Sequence, residues 1–201
     1  MTRIRTALVA GLTALGITSL LLATPARAEV HTYQIDPDHT DVGFTVRHMF
    51  TKLHGRFDTV SGAFDLDPTT GKVSAAKGVV ETKSVDTHHE KRDGHLRSPD
   101  FFDADKYPTL TFTGKVFKPV KDGTEITGDL TMRGVTKTVT FKTQFLGAAA
   151  DPFGNTRASI SATTRVNRKD FGIDFNKVLD NGGLLIGDDV DIDLEIEGIQ
   201  K

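Results

Sequence analysis

The sequence predicts an all-β protein, an eight-stranded antiparallel barrel with a short helical cap near residues 88–98. Short segments of alternating apolar and polar residues, separated by turn residues, run through the chain, and no apolar helical period of useful length interrupts them. Several segments are longer than the ~5–6 residues usual for strands of a two-sheet sandwich, the competing architecture. Closure of so long a ribbon into a barrel would remove its exposed edges.

Residues 1–28 have the three parts of a secretory signal peptide. Arg3 and Arg5 form a basic start, an uncharged apolar run follows, and residues 26–28 match an Ala-x-Ala cleavage signature. The run is shorter than the ~20 residues of a membrane span, which argues against an anchor. Cleavage near Ala28 predicts a soluble, periplasmic or secreted domain over residues 29–201. It removes three arginines and no acid, so the formal net charge moves from −2 to −5.

Composition and motifs exclude several classes of function. A mildly acidic chain without a basic stripe is a poor nucleic-acid binder. With no cysteine, the chain has no disulfides, no thiol catalysis and no cysteine-ligated zinc. The sequence contains no nucleophile elbow, phosphate-binding glycine loop or His-Glu-x-x-His motif. We therefore predict no enzymatic activity and no cofactor.

The strands follow one another along the chain, each with apolar residues on one face. The third candidate is Val73–Lys83, with Gly78 as a candidate bulge. The apolar faces of the others are Val42, Phe44 and Val46; Val60, Phe64 and Leu66; Leu110, Phe112 and Val116; Ile126, Leu130 and Met132; Val139, Phe141 and Phe145; Ala158, Ile160, Ala162 and Val166; and Val190, Ile192, Leu194 and Ile196. Glycines and alanines among these positions leave room inside, so a barrel of this size would enclose a cavity.

Lys91–Pro108 differs from the rest of the chain because it combines charged, aromatic and proline residues. A helical stretch should end at Ser98-Pro99. If Phe101 and Phe102 are extended, they point in opposite directions and one of them enters the interior. The segment is predicted to plug one mouth of the barrel, with a short helix tied down by the ion-pairing residues Arg92, Asp93 and Arg97. A functional alternative gives His95 or Arg97 a contact with the polar head of a ligand, and His48, on the inward parity, could supply another.

A second alternative is a metal site or a substrate-processing site in the run from His88 to His95, which also contains His89, Glu90 and Asp93. On a helix, His88 and His95 would lie roughly 10 Å apart along the axis, too far for one ion. A solvated polar helix is the favoured interpretation, and a ligand-free structural barrel is a third hypothesis.

Several stretches resemble the YceI-like family of secreted, lipocalin-like proteins. The most specific is Arg92-Asp93-x-His95-Leu96-Arg97-Ser98-x-Asp100-Phe101-Phe102-Asp103. Supporting stretches are Ile35-Asp36 with His39, Gly55 with Phe57 and Gly62, Tyr107-Pro108, Gly128-x-Leu130-Thr131, Gly134-Val135-Thr136-Lys137, Asn167-Arg168-x-Asp170-Phe171-Gly172 and Gly187-Asp188. Thr40 and Phe175 depart mildly from the family pattern, which more often has Ser at the first position and Trp near the second.

The resemblance implies a lipocalin-like barrel whose apolar pore binds a polyisoprenoid or other long-chain lipid, with neither catalysis nor a metal. It also implies export, transient membrane contact and, as in some members, a homodimer. The ligand-binding residues that we predict are Val42, Phe44, Val46, His48, Phe64, His95, Arg97, Phe112, Ile126, Leu130, Val139, Phe141, Ile160, Val166 and Ile192.

Overall fold

The structure, a computed structural model, describes residues 29–178 and 185–201. The predicted signal peptide over residues 1–28 lies outside the described residues. Within them, eleven β-strands form one sheet, accompanied by one α-helix and three short 3-10 helices. No helix in these two ranges is long and apolar enough to cross a membrane.

The elements follow the chain in a simple order. The strands are β1 (His31–Ile35), β2 (Asp41–His48), β3 (Thr51–Phe57), β4 (Val60–Asp67), β5 (Lys72–Glu81), β6 (Val85–Asp86), β7 (Thr109–Val120), β8 (Gly123–Met132), β9 (Val135–Ala150), β10 (Thr156–Asn167) and β11 (Ile186–Gln200). The α-helix α1 spans Glu90–Arg97, and the 3-10 helices span Pro37–His39, Thr82–Ser84 and Arg168–Phe171.

β11 closes the sheet into a barrel. It pairs with β10 on one side and with both β1 and β2 on the other, so β1 and β2 are two parts of one interrupted strand. β3 with β4, and β5 with β6, form two further interrupted strands, since β2 and β6 flank β3 while β1 and β5 flank β4. Together with β7 to β11 they make eight strands, all antiparallel. The predicted eight-stranded barrel is confirmed.

Two apolar clusters fill parts of the interior. One, which we call the closed-end cluster, contains Tyr33, Ile35, Val60, Phe64, Leu66, Val73, Ile126, Ala158 and Ile160. The other, the lid-end cluster, contains Phe101, Leu130, Met132, Val166, Phe171 and Ile173. Because side chains alternate across a strand, apolar residues two apart meet inside the barrel while their polar neighbours face solvent.

After a β-bulge, side chains lie on the opposite face of the sheet from the one that strict apolar–polar alternation predicts. The prediction of a bulge at Gly78 is wrong, because Gly78 pairs in register with Gly62 and Phe112. In β5 the unpaired residue is instead Ser74. In β7 it is Lys115.

The bulge at Lys115 reverses the facing of the residues after it. Val116, predicted to share the inward face of Phe112, is therefore 59% exposed. Phe117 takes the inward position and packs on the closed-end cluster. Gly114 leaves space for it, since a Cβ there would lie 2.6 Å from the Phe117 ring.

A charged network fastens the closed end of the barrel. The Arg157 guanidinium donates to Asp151 at 2.8 Å, to Asp36 at 2.5 Å and to Glu197 at 2.6 Å. The hydrogen bond from Arg157 is the main reason why the pKa values of both Asp36 and Asp151 lie below the usual range of aspartate. These contacts join the segment after β1, the turn between β9 and β10, and β11.

We expect Arg157→Met to destabilise the protein most at neutral pH. A carboxyl whose pKa is lowered by folding stabilises the fold above its unfolded pKa of ~3.9, and that contribution is lost as the pH falls through the folded value. The difference in unfolding free energy between wild type and variant should therefore shrink below about pH 4. Urea unfolding at a series of pH values measures it, and a difference that stays constant down to pH 2 would contradict the assignment.

Candidate functional site

A cavity of about 170 Å³ lies inside the barrel beneath α1 and the turns that follow it. We call it the outer chamber. Its walls are almost wholly apolar and come from strands and lid alike: Val42, Phe44, Val46, Phe57, Val80, Leu96, Phe101, Phe102, Leu110, Phe112, Leu130, Met132, Phe141, Val166, Ile173, Ile186, Val190, Ile192 and Leu194, with Gly43, Gly78, Thr111 and Arg168 completing the lining.

A second cavity of about 110 Å³, the inner chamber, lies on the closed-end side of the first. Phe64, Ile126 and Ile160 line it, together with residues of the closed-end cluster. The two chambers share six lining residues, Val42, Gly78, Val80, Phe112, Phe141 and Leu194. Among these, the rings of Phe112 and Phe141 meet edge to face with centroids 5.0 Å apart, so this pair marks the boundary between the chambers.

The lid is the helix α1 with the turns over residues 98–107. α1 begins after His89, whose ring nitrogen accepts the backbone N–H of Arg92, and it ends at Ser98 before Pro99, as predicted. Because residues 98–107 form turns rather than an extended strand, both Phe101 and Phe102 reach the outer chamber. The expectation that only one of the two would enter the interior, which held for an extended pair, is therefore wrong. Phe102 packs edge to face on Phe57 of the barrel wall.

Hydrogen bonds made by polar side chains hold the lid against the barrel. The buried Asp93 carboxylate accepts the N–H of Thr87 at 2.9 Å and its hydroxyl at 2.5 Å. Burial by itself raises the pKa of Asp93, but these hydrogen bonds, with the charge of Arg97, outweigh it and leave the pKa lowered. Arg92 donates to the hydroxyl and the carbonyl of the same threonine, each at 2.7 Å. The carboxylate thus stays ionised inside the joint.

Two residues predicted as head-group contacts belong to this joint. Arg97 donates to the carbonyls of Lys83 at 2.8 Å and Val85 at 2.9 Å. His95 bonds to Asp100 at 2.7 Å, and its ring packs edge to face on Phe101 and Phe175. Neither residue lines a chamber.

His48 and Val139 also lie outside both linings. His48 ends β2 at the rim, opposite Ile186. Val139, on β9, packs against the lid-end cluster. The remaining predicted residues line one chamber or both: Val42, Phe44, Val46, Phe64, Phe112, Ile126, Leu130, Phe141, Ile160, Val166 and Ile192.

Arg168 was not predicted as a site residue, although it borders the outer chamber and is only 4% exposed. Its guanidinium donates to the carbonyls of Ile173, Phe175 and Gly187, and to the Asp188 carboxylate at 3.1 Å. The match of Asn167–Gly172 to the family pattern is the feature of the sequence that indicates a role for Arg168. The residue holds the end of β10 against the start of β11, so its charge is engaged by the protein.

The run from His88 to His95 does not converge on one point. His88 pairs with Asp86, His95 pairs with Asp100, and Asp93 faces Thr87. Over residues 29–178 and 185–201, the one group of three ligand atoms close enough for a metal is that of Asp36, His39 and Glu197. Arg157 already bonds to both of those carboxylates, and its charge occupies the position of a cation.

These features define a class of protein: a closed antiparallel barrel with an apolar interior and a fastened helical lid. The family model of the YceI-like domain matches residues 33–198, and the chain belongs to that family. A UPF0312 protein of Vibrio vulnificus is 39% identical over 187 residues, which cover 91% of this chain and 95% of the relative.

Solved structures agree on the fold. The Campylobacter jejuni YCEI protein superposes with a TM-score of 0.67 at 30% identity, over 83% of this chain and 96% of the other. A polyisoprenoid binding domain from Saccharophagus degradans gives a TM-score of 0.62 at 18% identity, over 84% and 98% of the two chains. At that identity the second comparison supports the architecture alone.

We expect Arg97→Met to loosen the lid. Loss of two hydrogen bonds from a charged donor to backbone carbonyls should lower the unfolding free energy by about 1–3 kcal/mol. Lys91→Met is the matched control, because Lys91 is an exposed basic residue of the same helix. Urea unfolding measures both variants. Equal stability of the two would show that the Arg97 contacts do not hold the lid.

Proposed function

We propose that this protein is an exported binding protein that holds an isoprenoid or similar long-chain lipid inside the barrel, for carriage, storage or sequestration, without catalysis. The observation that carries the proposal is the pair of apolar chambers that meet at Phe112 and Phe141 beneath a lid. The sequence of residues 1–28 supports export to the periplasm or beyond. A relative described as a polyisoprenoid binding domain shares the fold.

The chemistry of the walls supports binding of a hydrocarbon chain. Arg168, on the outer lining, has its guanidinium bonded to three carbonyls and a carboxylate. On the inner lining, the hydroxyl of Thr143 donates to the Thr124 carbonyl at 2.7 Å. Polar groups that are already paired offer little to a polar ligand, whereas the surrounding rings and methyl groups favour an apolar one.

The size of the interior agrees with a long chain. Micromolar affinity requires about −8 kcal/mol, association costs at least ~4 kcal/mol, and each buried CH₂ contributes about 0.8 kcal/mol. A chain bound by its tail alone must therefore bury roughly fifteen carbons. At ~10–15 Å³ of cavity for a water-sized group, the outer chamber holds on the order of a dozen such groups and the inner one somewhat fewer. The outer chamber alone comes close to this requirement, and both chambers together exceed it.

We expect lipid to copurify with the protein, and Phe44→Asp or Phe141→Asp to abolish its retention because each places a carboxylate on the chamber wall. Native mass spectrometry after gentle purification measures the occupancy and gives the ligand mass. Val116→Asp is the control, since it makes the same kind of change at an exposed position of β7. Unchanged lipid content in the folded Phe44 and Phe141 variants would refute the assigned lining.

We also expect the Phe112–Phe141 boundary to limit the length of the chain. Phe141→Leu should widen the opening between the two chambers. For ligands long enough that the affinity of the wild type no longer rises with length, each further isoprene unit should still raise the affinity of the variant by roughly tenfold or more. Titration with farnesol, geranylgeraniol and a longer prenol tests this. Ile173→Val is the control, because it trims a residue that lines the outer chamber but not the inner one. Equal length profiles for all three proteins would exclude a boundary role.

A further inference from the structure

The hairpin between β2 and β3 carries an apolar tip that projects into solvent. Phe50 is 78% exposed and Met49 is 36% exposed. The tip is nevertheless held in place: the Met49 N–H donates to the Leu185 carbonyl, and Arg47 donates to the Met49 carbonyl, both at 2.9 Å. Met49 adopts a positive φ of 50°, which few non-glycine residues do. These contacts hold the backbone of the tip beside the exposed Phe50 side chain.

Exposed apolar surface continues onto the neighbouring segment. Leu185, which accepts from Met49, donates its own N–H to the Lys177 carbonyl at 2.9 Å. Val178, which follows Lys177 in the chain, is 73% exposed. We call Met49, Phe50 and Val178, with the cations Arg47, Lys52 and Lys177, the rim patch. Scattered exposed apolar residues are ordinary, but a group of them at one position often marks an interaction site.

The rim patch lies at the lid end of the barrel. His48, the last residue of β2, pairs with Ile186, and Ile186 lines the outer chamber. Val46, two residues earlier, lines the same chamber. The apolar tip therefore begins within a few residues of the cavity wall, at the edge of the mouth that the lid covers.

Charge favours an anionic partner. Over the two ranges that the structure describes, Arg47, Lys52 and Lys177 have no carboxylate within 4.0 Å, whereas the exposed cations Arg165 and Lys169 are paired with Asp191 and Asp188. Lys52 also borders a concavity on the outside of the sheet that contains Asp191 and Asp193, of which Asp191 is bonded to Arg165 at 2.5 Å. Three cations around an apolar tip match a bilayer that contains anionic lipids.

The opposite end of the barrel provides an internal comparison. Phe153, in the turn between β9 and β10, is 88% exposed, more than Phe50. Its backbone N–H donates to Asp151, and the carboxylates of Asp36 and Glu197 share Arg157 with Asp151. Three carboxylates against one arginine make this end acidic. An exposed phenylalanine is thus present at both ends, and the charge around it differs in sign.

We propose that the rim patch docks the protein on an anionic bilayer surface, with Phe50 inserted between the lipids and the covered mouth turned towards the membrane. The biological role of this docking rests on the proposed function, because a lipid carrier must collect or release its ligand at a membrane. The docking itself depends only on the exposed residues of the patch.

Sedimentation with vesicles tests the docking. The purified protein is mixed with vesicles of phosphatidylcholine alone and with vesicles that also contain phosphatidylglycerol. We expect binding to the mixed vesicles that weakens as salt is added. Phe50→Ser should weaken it about tenfold or more, and Phe153→Ser should leave it unchanged. Lys52→Gln with Lys177→Gln should remove the preference for anionic vesicles. All of these side chains are exposed, so the variants should keep the wild-type circular dichroism and melting temperature.

Three results would overturn the proposal. The first is that Phe50→Ser binds the mixed vesicles as tightly as the wild type, and the second is that Phe153→Ser loses as much vesicle affinity as Phe50→Ser. The third is that Phe50→Ser changes only the self-association measured by sedimentation velocity, which would show that the patch binds a second copy of the chain. Native mass spectrometry of the same samples separates this outcome from the proposed function. Phe50 lines neither chamber, so Phe50→Ser should keep its bound lipid, and vesicle binding without any copurified lipid would retain the docking and reject the carrier.

Discussion

The pairing of β11 with both β1 and β2 is the contact on which the rest of the structure depends, because it closes the sheet and gives every strand one inner face. Closure alone does not produce a cavity, since a barrel of eight strands can be filled by its own side chains. Here glycines on neighbouring strands create slots for the large rings. A Cβ on Gly55 would lie 2.3 Å from the Phe44 ring, and one on Gly198 would lie 2.8 Å from Phe64. Rings seated over glycines lie against the wall, and the bore stays open.

The charged residues near the mouth serve the fold. Asp93 and Arg92 both bond to Thr87, and Arg97 bonds to the carbonyls of Lys83 and Val85. All of these contacts fall on residues 83–87, where β6 pairs with β3 over two residue pairs. The short strand and the lid therefore support each other, and the most specific part of the family motif is explained by this joint without any ligand.

The sequence predicted the barrel, the lid helix and most of the chamber lining, because alternation determines facing wherever a strand is regular. It failed where one inserted residue reversed that facing, as at Val116 after the bulge of Lys115, which no local signal reveals. It expected only one of Phe101 and Phe102 to enter the interior, on the condition that the pair is extended. The turns that bring both inside depend on hydrogen bonds to the carbonyls of Ser98 and Leu96, which the sequence does not reveal. The Arg157 network joins residues 36, 151 and 197, whose proximity follows from closure and cannot be derived from spacing.

The charged side chains are arranged differently at the two ends of the barrel. At the closed end, Arg157 and the carboxylates of Asp36, Asp151 and Glu197 bond to one another. At the lid end, Arg97 and Arg168 are bonded to backbone carbonyls, and the cations of the rim patch are exposed on the outside of the barrel. Chamber walls that consist almost wholly of apolar side chains offer a ligand little hydrogen bonding. Selection inside must therefore depend on length and shape, which are set by the distance to the Phe112–Phe141 boundary and by the width that this pair leaves open.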